Sequence, residues 1–147
     1  MIFVSKFCVI FWMVLGLFST EVLAAPKNLE GSVTVSSVNW RAPIPGQTVG
    51  VLYLTLKNQT ASQYRLNDVD IEWARKAEFH QHFHEEGLMK MRKVSPLILE
   101  PYKELTFVAG GLHIMIFGVD SSVANEPNLI LQLLFNDDQF LSVKLLK

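Results

Sequence analysis

Every histidine of the chain, and every methionine beyond its first 24 residues, lies between positions 80 and 115. The histidines are His80, His82, His84 and His113; the methionines are Met89, Met91 and Met115. Side chains that only fill a core would scatter over all the strands. Imidazole and thioether are both metal donors, and together they select a class of ion. Thioether sulfur is soft, neutral and weakly basic, so it suits a monovalent d10 ion such as Cu(I) far better than Zn²⁺, Ca²⁺ or Mg²⁺. Imidazole is borderline and adds affinity for either copper state. Such a set carries no ligand charge and, unlike thiolates, releases its ion readily. The chemistry expected is reversible Cu(I) binding by two imidazoles and two thioethers.

The positions must be brought together by the elements that carry them. Residues two apart in a strand share a face. His113 and Met115 therefore point one way while Ile114 and Ile116 face the opposite layer. Met89 and Met91 share a face, as do His80, His82 and His84. Three short strands could unite these faces at one end of a sandwich. The joint clustering favours His80, Met91, His113 and Met115 as the metal set. A methionine in a strand is commonly a plastic core filler, and His82 and His84 beside Glu85 and Glu86 read equally well as solvated turn residues. His82, His84 and Met89 are thus accessory candidates.

Periodicity supports such strands. Apolar alternation bounded by turn residues predicts strands over 32–40, 48–57, 64–69, 75–82, 88–94, 97–99, 105–108, 113–117, 128–135 and 139–146. In the first, Val33 and Val35 give way to Val38 and Trp40, a slip that predicts a bulge. In the second, Leu52, Leu54 and Leu56 form one face and Val51, Tyr53 and Thr55 the other. No window combines a helical period with caps at both ends. Many short strands in one chain of 147 residues predict a single all-β sandwich or barrel.

The N-terminus reads as a signal peptide over 1–24, followed by one domain over 25–147. Lys6 precedes an apolar run from Phe7 to Phe18, and Ala24 ends a stretch of small and aliphatic residues suited to cleavage. That run is shorter than the ~20 residues needed to cross a bilayer, so no stable membrane insertion is expected after cleavage. The only cysteine, Cys8, leaves with the leader, which excludes a disulfide scaffold and thiolate ligation. A net charge of -1 and the lack of a basic patch argue against nucleic acid as a partner.

The motif of His80, ten residues, Met91, twenty-one residues, His113, one residue and Met115 resembles the signature of the periplasmic PCu(A)C copper chaperones. The resemblance extends to Glu78-Phe79-His80, Leu88-Met89-Lys90-Met91-Arg92 and Gly110-Gly111-Leu112-His113-Ile114-Met115. Upstream, Trp40-Arg41-Ala42-Pro43-Ile44-Pro45-Gly46 and Val51–Asn58 are similar to the family's first strands. It implies a cupredoxin-like antiparallel β-sandwich of Greek-key type and a periplasmic location. It further implies Cu(I) bound by His80, Met91, His113 and Met115. The partner implied is a copper-receiving protein, either the CuA subunit of cytochrome c oxidase or a Sco-type chaperone. Two departures stand out. Ala109 occupies the place of the family's usual proline before Gly110-Gly111. The chain also ends Val143-Lys144-Leu145-Leu146-Lys147, without the His- and Met-rich tail that holds Cu(II) in some members. Whether His82 or His84 takes the place of that tail for Cu(II) is left open by the sequence.

Two other readings compete with a carrier that has no reaction of its own. His80-Gln81-His82 with Glu86 superficially resembles a cupin metal motif, which would make the protein a metalloenzyme using a harder divalent ion. That reading leaves Met91 and Met115 unexplained. A secreted β-sandwich interaction module without metal is the other, and Asn58-Gln59-Thr60 would fit a glycosylated surface loop in it. For the carrier, Glu78 shares the strand face of His80 and is one candidate acceptor for that ring's second N–H.

Overall fold

The computed structural model of the protein describes residues 25–123, 126–136 and 138–145. The leader predicted over 1–24 lies outside the described residues. Eleven strands follow in chain order: β1 (Lys27–Asn28), β2 (Val33–Arg41), β3 (Val49–Asn58), β4 (Tyr64–Asp70), β5 (Lys76–Glu85), β6 (Leu88–Lys93), β7 (Leu97–Leu99), β8 (Glu104–Phe107), β9 (Leu112–Phe117), β10 (Ile130–Phe135) and β11 (Gln139–Lys144). There is no helix among the described residues. Each of the ten predicted segments forms a strand. β1 has no counterpart among them: it is two residues long, has no alternation to read, and is held by parallel pairing of Lys27 and Asn28 with Gln139 and Phe140 of β11.

The strands form two sheets, one in the order β1-β11-β10-β4-β7 and the other in the order β2-β3-β9-β5-β6, with β8 pairing with β3. Sequence neighbours such as β4 and β5, or β9 and β10, belong to different sheets, so the chain crosses between layers as a Greek-key sandwich does. Alternation decides which side of each strand enters the core. Leu52, Leu54 and Leu56 of β3, Phe79 of β5, and Ile114 and Ile116 of β9 are buried against Leu66, Leu131, Leu133, Leu141 and Val143 of the other sheet. Each fully buried leucine or phenylalanine contributes roughly 1.5–3 kcal/mol through the water it sheds.

Local backbone features set the register of the strands. The slip in β2 is a real irregularity: pairing with β3 shifts between Ser36 and Asn39, and Ser37 has φ 54°. At the β5–β6 hairpin, Glu85 pairs with Leu88 around a two-residue loop in which Glu86 and Gly87 both have positive φ, 53° and 77°. That turn matches the right-handed twist of its flanking strands, and a glycine accepts its second position without strain. The hairpin consequently locks His82 opposite Met91 and His84 opposite Met89.

Asn58 overturns the glycosylation reading. It is fully buried (0% exposed). Its Nδ2 donates to the carbonyls of Ser62 (2.6 Å), Glu100 (3.0 Å) and Leu99 (3.4 Å), and its Oδ1 accepts from the N–H and hydroxyl of Thr60, both at 2.9 Å. The amide is a structural tie between β3 and the loop after β7, with no room for a sugar in the folded chain.

Candidate metal centre

β9, β5 and β6 are consecutive neighbours in the larger sheet, and their alternation places all seven donor residues on the face turned away from the core. The sequence suggested one end of the sandwich. The residues lie instead on this outer face, because the side chains between them (Phe79, Ile114 and Ile116) take the core side. Register does the rest. His80 pairs with His113, Glu78 with Met115, and His82 with Met91, while Val51 of β3 flanks Met115 from the other side.

His113 is the focus of the cluster. It is one of two polar side chains buried among the described residues, at 4% exposed. Its Nδ1 lies 2.9 Å from the carbonyl of Gly111 and its Nε2 lies 3.1 Å from the sulfur of Met91. A carbonyl only accepts, so the Nδ1 proton must be present to donate to it, and neutral His113 then carries its lone pair on Nε2. Burial disfavours the imidazolium most and neighbouring His82 and His80 disfavour it further, so the His113 pKa falls below the usual 6.5 despite the Gly111 carbonyl. The Nε2 lone pair consequently faces a thioether lone pair with no proton between them. A cation accepting both removes that mismatch. Bonds of about 2.0 Å to nitrogen and about 2.3 Å to sulfur put the two donors about 3.5 Å apart at a tetrahedral angle, a few tenths of an ångström from the geometry present.

His80 is prepared in the complementary way. Its Nε2 lies 3.1 Å from Glu78 Oε2, the candidate carboxylate partner read from the strand parity. Glu78 also accepts from Lys76 (3.0 Å) and Lys93 (3.2 Å). The His80 contact, followed by Lys76 and then Lys93, holds its carboxyl down to about 2 against the opposing effect of burial. An ionised Glu78 accepts the Nε2 proton and leaves Nδ1 as the lone pair of neutral His80. That Nδ1 is buried and has no protein partner. A carboxylate on one ring nitrogen and a vacant lone pair on the other is the usual arrangement of a metal-binding histidine. The His80 and His113 ring centroids are 6.1 Å apart.

His82 belongs to the cluster and is no solvated turn residue. It stacks on His113 with centroids 5.0 Å apart and planes at 26°, and its own Nδ1 is buried without a partner. His84 and Met89 form a second nitrogen–sulfur pair farther out, with Nδ1 3.2 Å from Sδ. Direct contact thus joins His113 to Met91, ring proximity adds His80 and His82, and strand register places Met115 on the same face. The Gly111 carbonyl and the Phe117 ring, 5.9 Å from that of His80, also shape the site. Gly111 could not be read as an orienting group from its type, whereas Phe117 follows Met115 by two and was legible from parity. The cupin-like set does not form: Glu86 lies exposed in the turn of the hairpin, off the strand face that carries His80 and His82.

Comparison with known proteins agrees with this architecture. No curated protein matches the chain. The structure is similar to a solved structure described as the copper-bound PCuAC domain from PmoF2, with TM-score 0.62 and 20% identity over 79% of this chain and 92% of that one. It is likewise similar to the apo PCuAC domain from PmoF1, with TM-score 0.64 and 20% identity over 79% and 92%. A third is the solution structure of apo-DR1885 from Deinococcus radiodurans, with TM-score 0.56 and 19% identity over 97% and 92%. The family model "Putative lipoprotein LpqE-like" matches residues 33–145, nearly the whole described sandwich. The chain therefore belongs to the LpqE-like family and has the β-sandwich fold of PCuAC domains.

Proposed function

We propose that the protein is an exported copper chaperone that binds Cu(I) through His80, Met91, His113 and Met115 and hands it on without catalysing a reaction. The observation that carries this reading is the His113 Nε2 to Met91 Sδ contact of 3.1 Å, in which neutral His113, donating Nδ1–H to Gly111, turns its lone pair to the thioether. The unpartnered, buried Nδ1 of His80 and the placement of Met115 beside His113 supply the other two donors. The donor chemistry favours Cu(I) over harder ions. The copper named for the PmoF2 domain points to the same element.

Transfer follows from the position of the donors on a sheet face. Met91 is 45% exposed, so a partner's ligand can enter on its side while His113 and His80 still hold the ion. Export through the leader over 1–24 into the periplasm, with the domain over 25–147 as the working unit, is the setting consistent with the sequence. Delivery to the CuA subunit of cytochrome c oxidase or to a Sco-type chaperone is the route suggested by the resemblance to PCu(A)C proteins. Anaerobic Cu(I) competition against a calibrated chelator tests the reading. His113→Ala and Met115→Ala should each weaken Cu(I) binding by more than about tenfold, as loss of a ligand should exceed loss of its supporting partner. Undiminished affinity in both variants would overturn the assignment.

A further inference from the structure

The β5–β6 hairpin carries two successive histidine–methionine pairs on one face, His82 with Met91 and His84 with Met89. The second pair lies two residues nearer the turn, a step of about 6.6 Å along a strand. Its nitrogen and sulfur are 3.2 Å apart, close to the separation a shared soft ion imposes. Met89 is 59% exposed, and it sits on β6, the last strand of its sheet. Such an edge is normally protected by charged side chains. Here Lys90 and Arg92 supply the charge on the opposite face, where both pair with Glu85, whereas Met89 and Met91 share the donor face with Lys93, which is tied to Glu78. Between the outer pair and buried His113 stands His82, stacked on His113 with a buried nitrogen that no protein group satisfies.

We propose that His84 and Met89 form a second, outer and weaker site for a soft monovalent cation, and that the ion passes between it and the inner site by way of His82 and Met91. The inference rests on the Cu(I) reading of the inner site and adds an entry and exit to it. Two neutral donors in contact with water hold such an ion loosely, while the inner site offers more donors and less water. An ion arriving at the hairpin tip would exchange one donor at a time, never being released. The same steps in reverse would present it at the most accessible part of the sheet edge.

Anaerobic Cu(I) titration of the intact protein, read by chelator competition and by the rate at which excess chelator extracts the ion, tests this. The wild type should take a tight equivalent and a weaker one. The double variant His84→Ala/Met89→Ala should lose the weaker equivalent and keep the tight one within about threefold. It should also surrender its ion about tenfold more slowly, a change of the size expected for groups outside the ligand set. Both residues lie at an exposed hairpin tip, so the fold should be unaffected. A wild type that takes no second equivalent, a double variant that keeps it, or an unchanged extraction rate would overturn the proposal. With no second equivalent His84 and Met89 make only an N–H···S hydrogen bond, and with an unchanged extraction rate the outer pair is a dead-end site. His113→Ala separates the two readings: it should lose the tight equivalent and retain the outer one.

Discussion

At Asn58 the fold buries an amide and gives it five hydrogen-bonding contacts, to Ser62, Leu99, Glu100 and twice to Thr60. At His113, the other buried polar side chain among the described residues, it buries an imidazole, satisfies one nitrogen with the Gly111 carbonyl, and aims the other at a thioether. The same burial thus serves two ends. A buried polar group that is fully satisfied tightens the fold, whereas a buried lone pair without a proton to accept stores affinity for something that arrives later. The difference is what sets the proposed metal ligand apart from the structural tie.

Substitution at these two positions should break the comparison in opposite directions, and these are the largest effects expected. Asn58→Ala removes a donor shared by three carbonyls and the acceptor of the Thr60 N–H and hydroxyl, and should destabilise the protein by about 3 kcal/mol, while Cu(I) affinity in the folded protein stays unchanged. His113→Ala should cost the apo-protein less than Asn58→Ala, about 1–2 kcal/mol for one hydrogen bond and the space the ring leaves, and abolish tight Cu(I) binding. Denaturant melts paired with chelator competition measure both. A His113 variant as unstable as the Asn58 variant would show that the imidazole is a structural tie as well.

Glu78→Gln should produce the next largest effect. Replacing the carboxylate by an amide removes the charge that strengthens the His80 Nε2–H bond and leaves Nδ1 free, and such partners typically contribute 10–100-fold to metal affinity. Cu(I) competition should therefore show about a tenfold loss. Because Glu78 also collects Lys76 and Lys93, the variant should lose a little stability as well. That loss should not depend on copper.

The smallest effect concerns pH. His113 titrates below 6.5 in the folded protein because it is buried, so below pH 6.5 the unfolded chain binds a proton that the native site refuses. The contribution of His113 to stability should therefore decline as pH falls from 6.5 through its lowered native pKa. His113→Ala should flatten that decline, and Cu(I) binding through this ring should persist below pH 6.5. Glu78 acts lower down. With its carboxyl held near 2 chiefly by His80 and Lys76, its contribution is present above 4.5 and is lost as pH falls from 4.5 towards 2. Melts of the apo-protein across this range should show two separable declines.

Much of this was legible in the sequence, for physical reasons. Alternation along 113–117 turned Ile114 and Ile116 to the opposite layer, and along 48–57 it separated Leu52, Leu54 and Leu56 from the other face, since a half-buried strand repeats every two residues. The same parity put His113 and Met115 together and linked Glu78 to His80. The slip at Ser36 to Asn39 was visible because a bulge breaks that period. Three features were not legible. β1 depends on pairing with a strand more than 100 residues away. The burial of Asn58 arises because the loop after β7 folds over it, so its local Asn-x-Thr pattern misleads. The stacking of His82 on His113 depends on β5 lying between β6 and β9, a matter of topology that spacing alone does not contain.

X-ray absorption at the copper edge of the Cu(I)-loaded protein tests the central claim most directly. Convergence of His80, Met91, His113 and Met115 on one ion predicts two sulfur neighbours at about 2.3 Å and two nitrogen neighbours at about 2.0 Å, with one sulfur lost in Met115→Ala. A spectrum with nitrogen and oxygen neighbours alone, or one unchanged by that substitution, would contradict it.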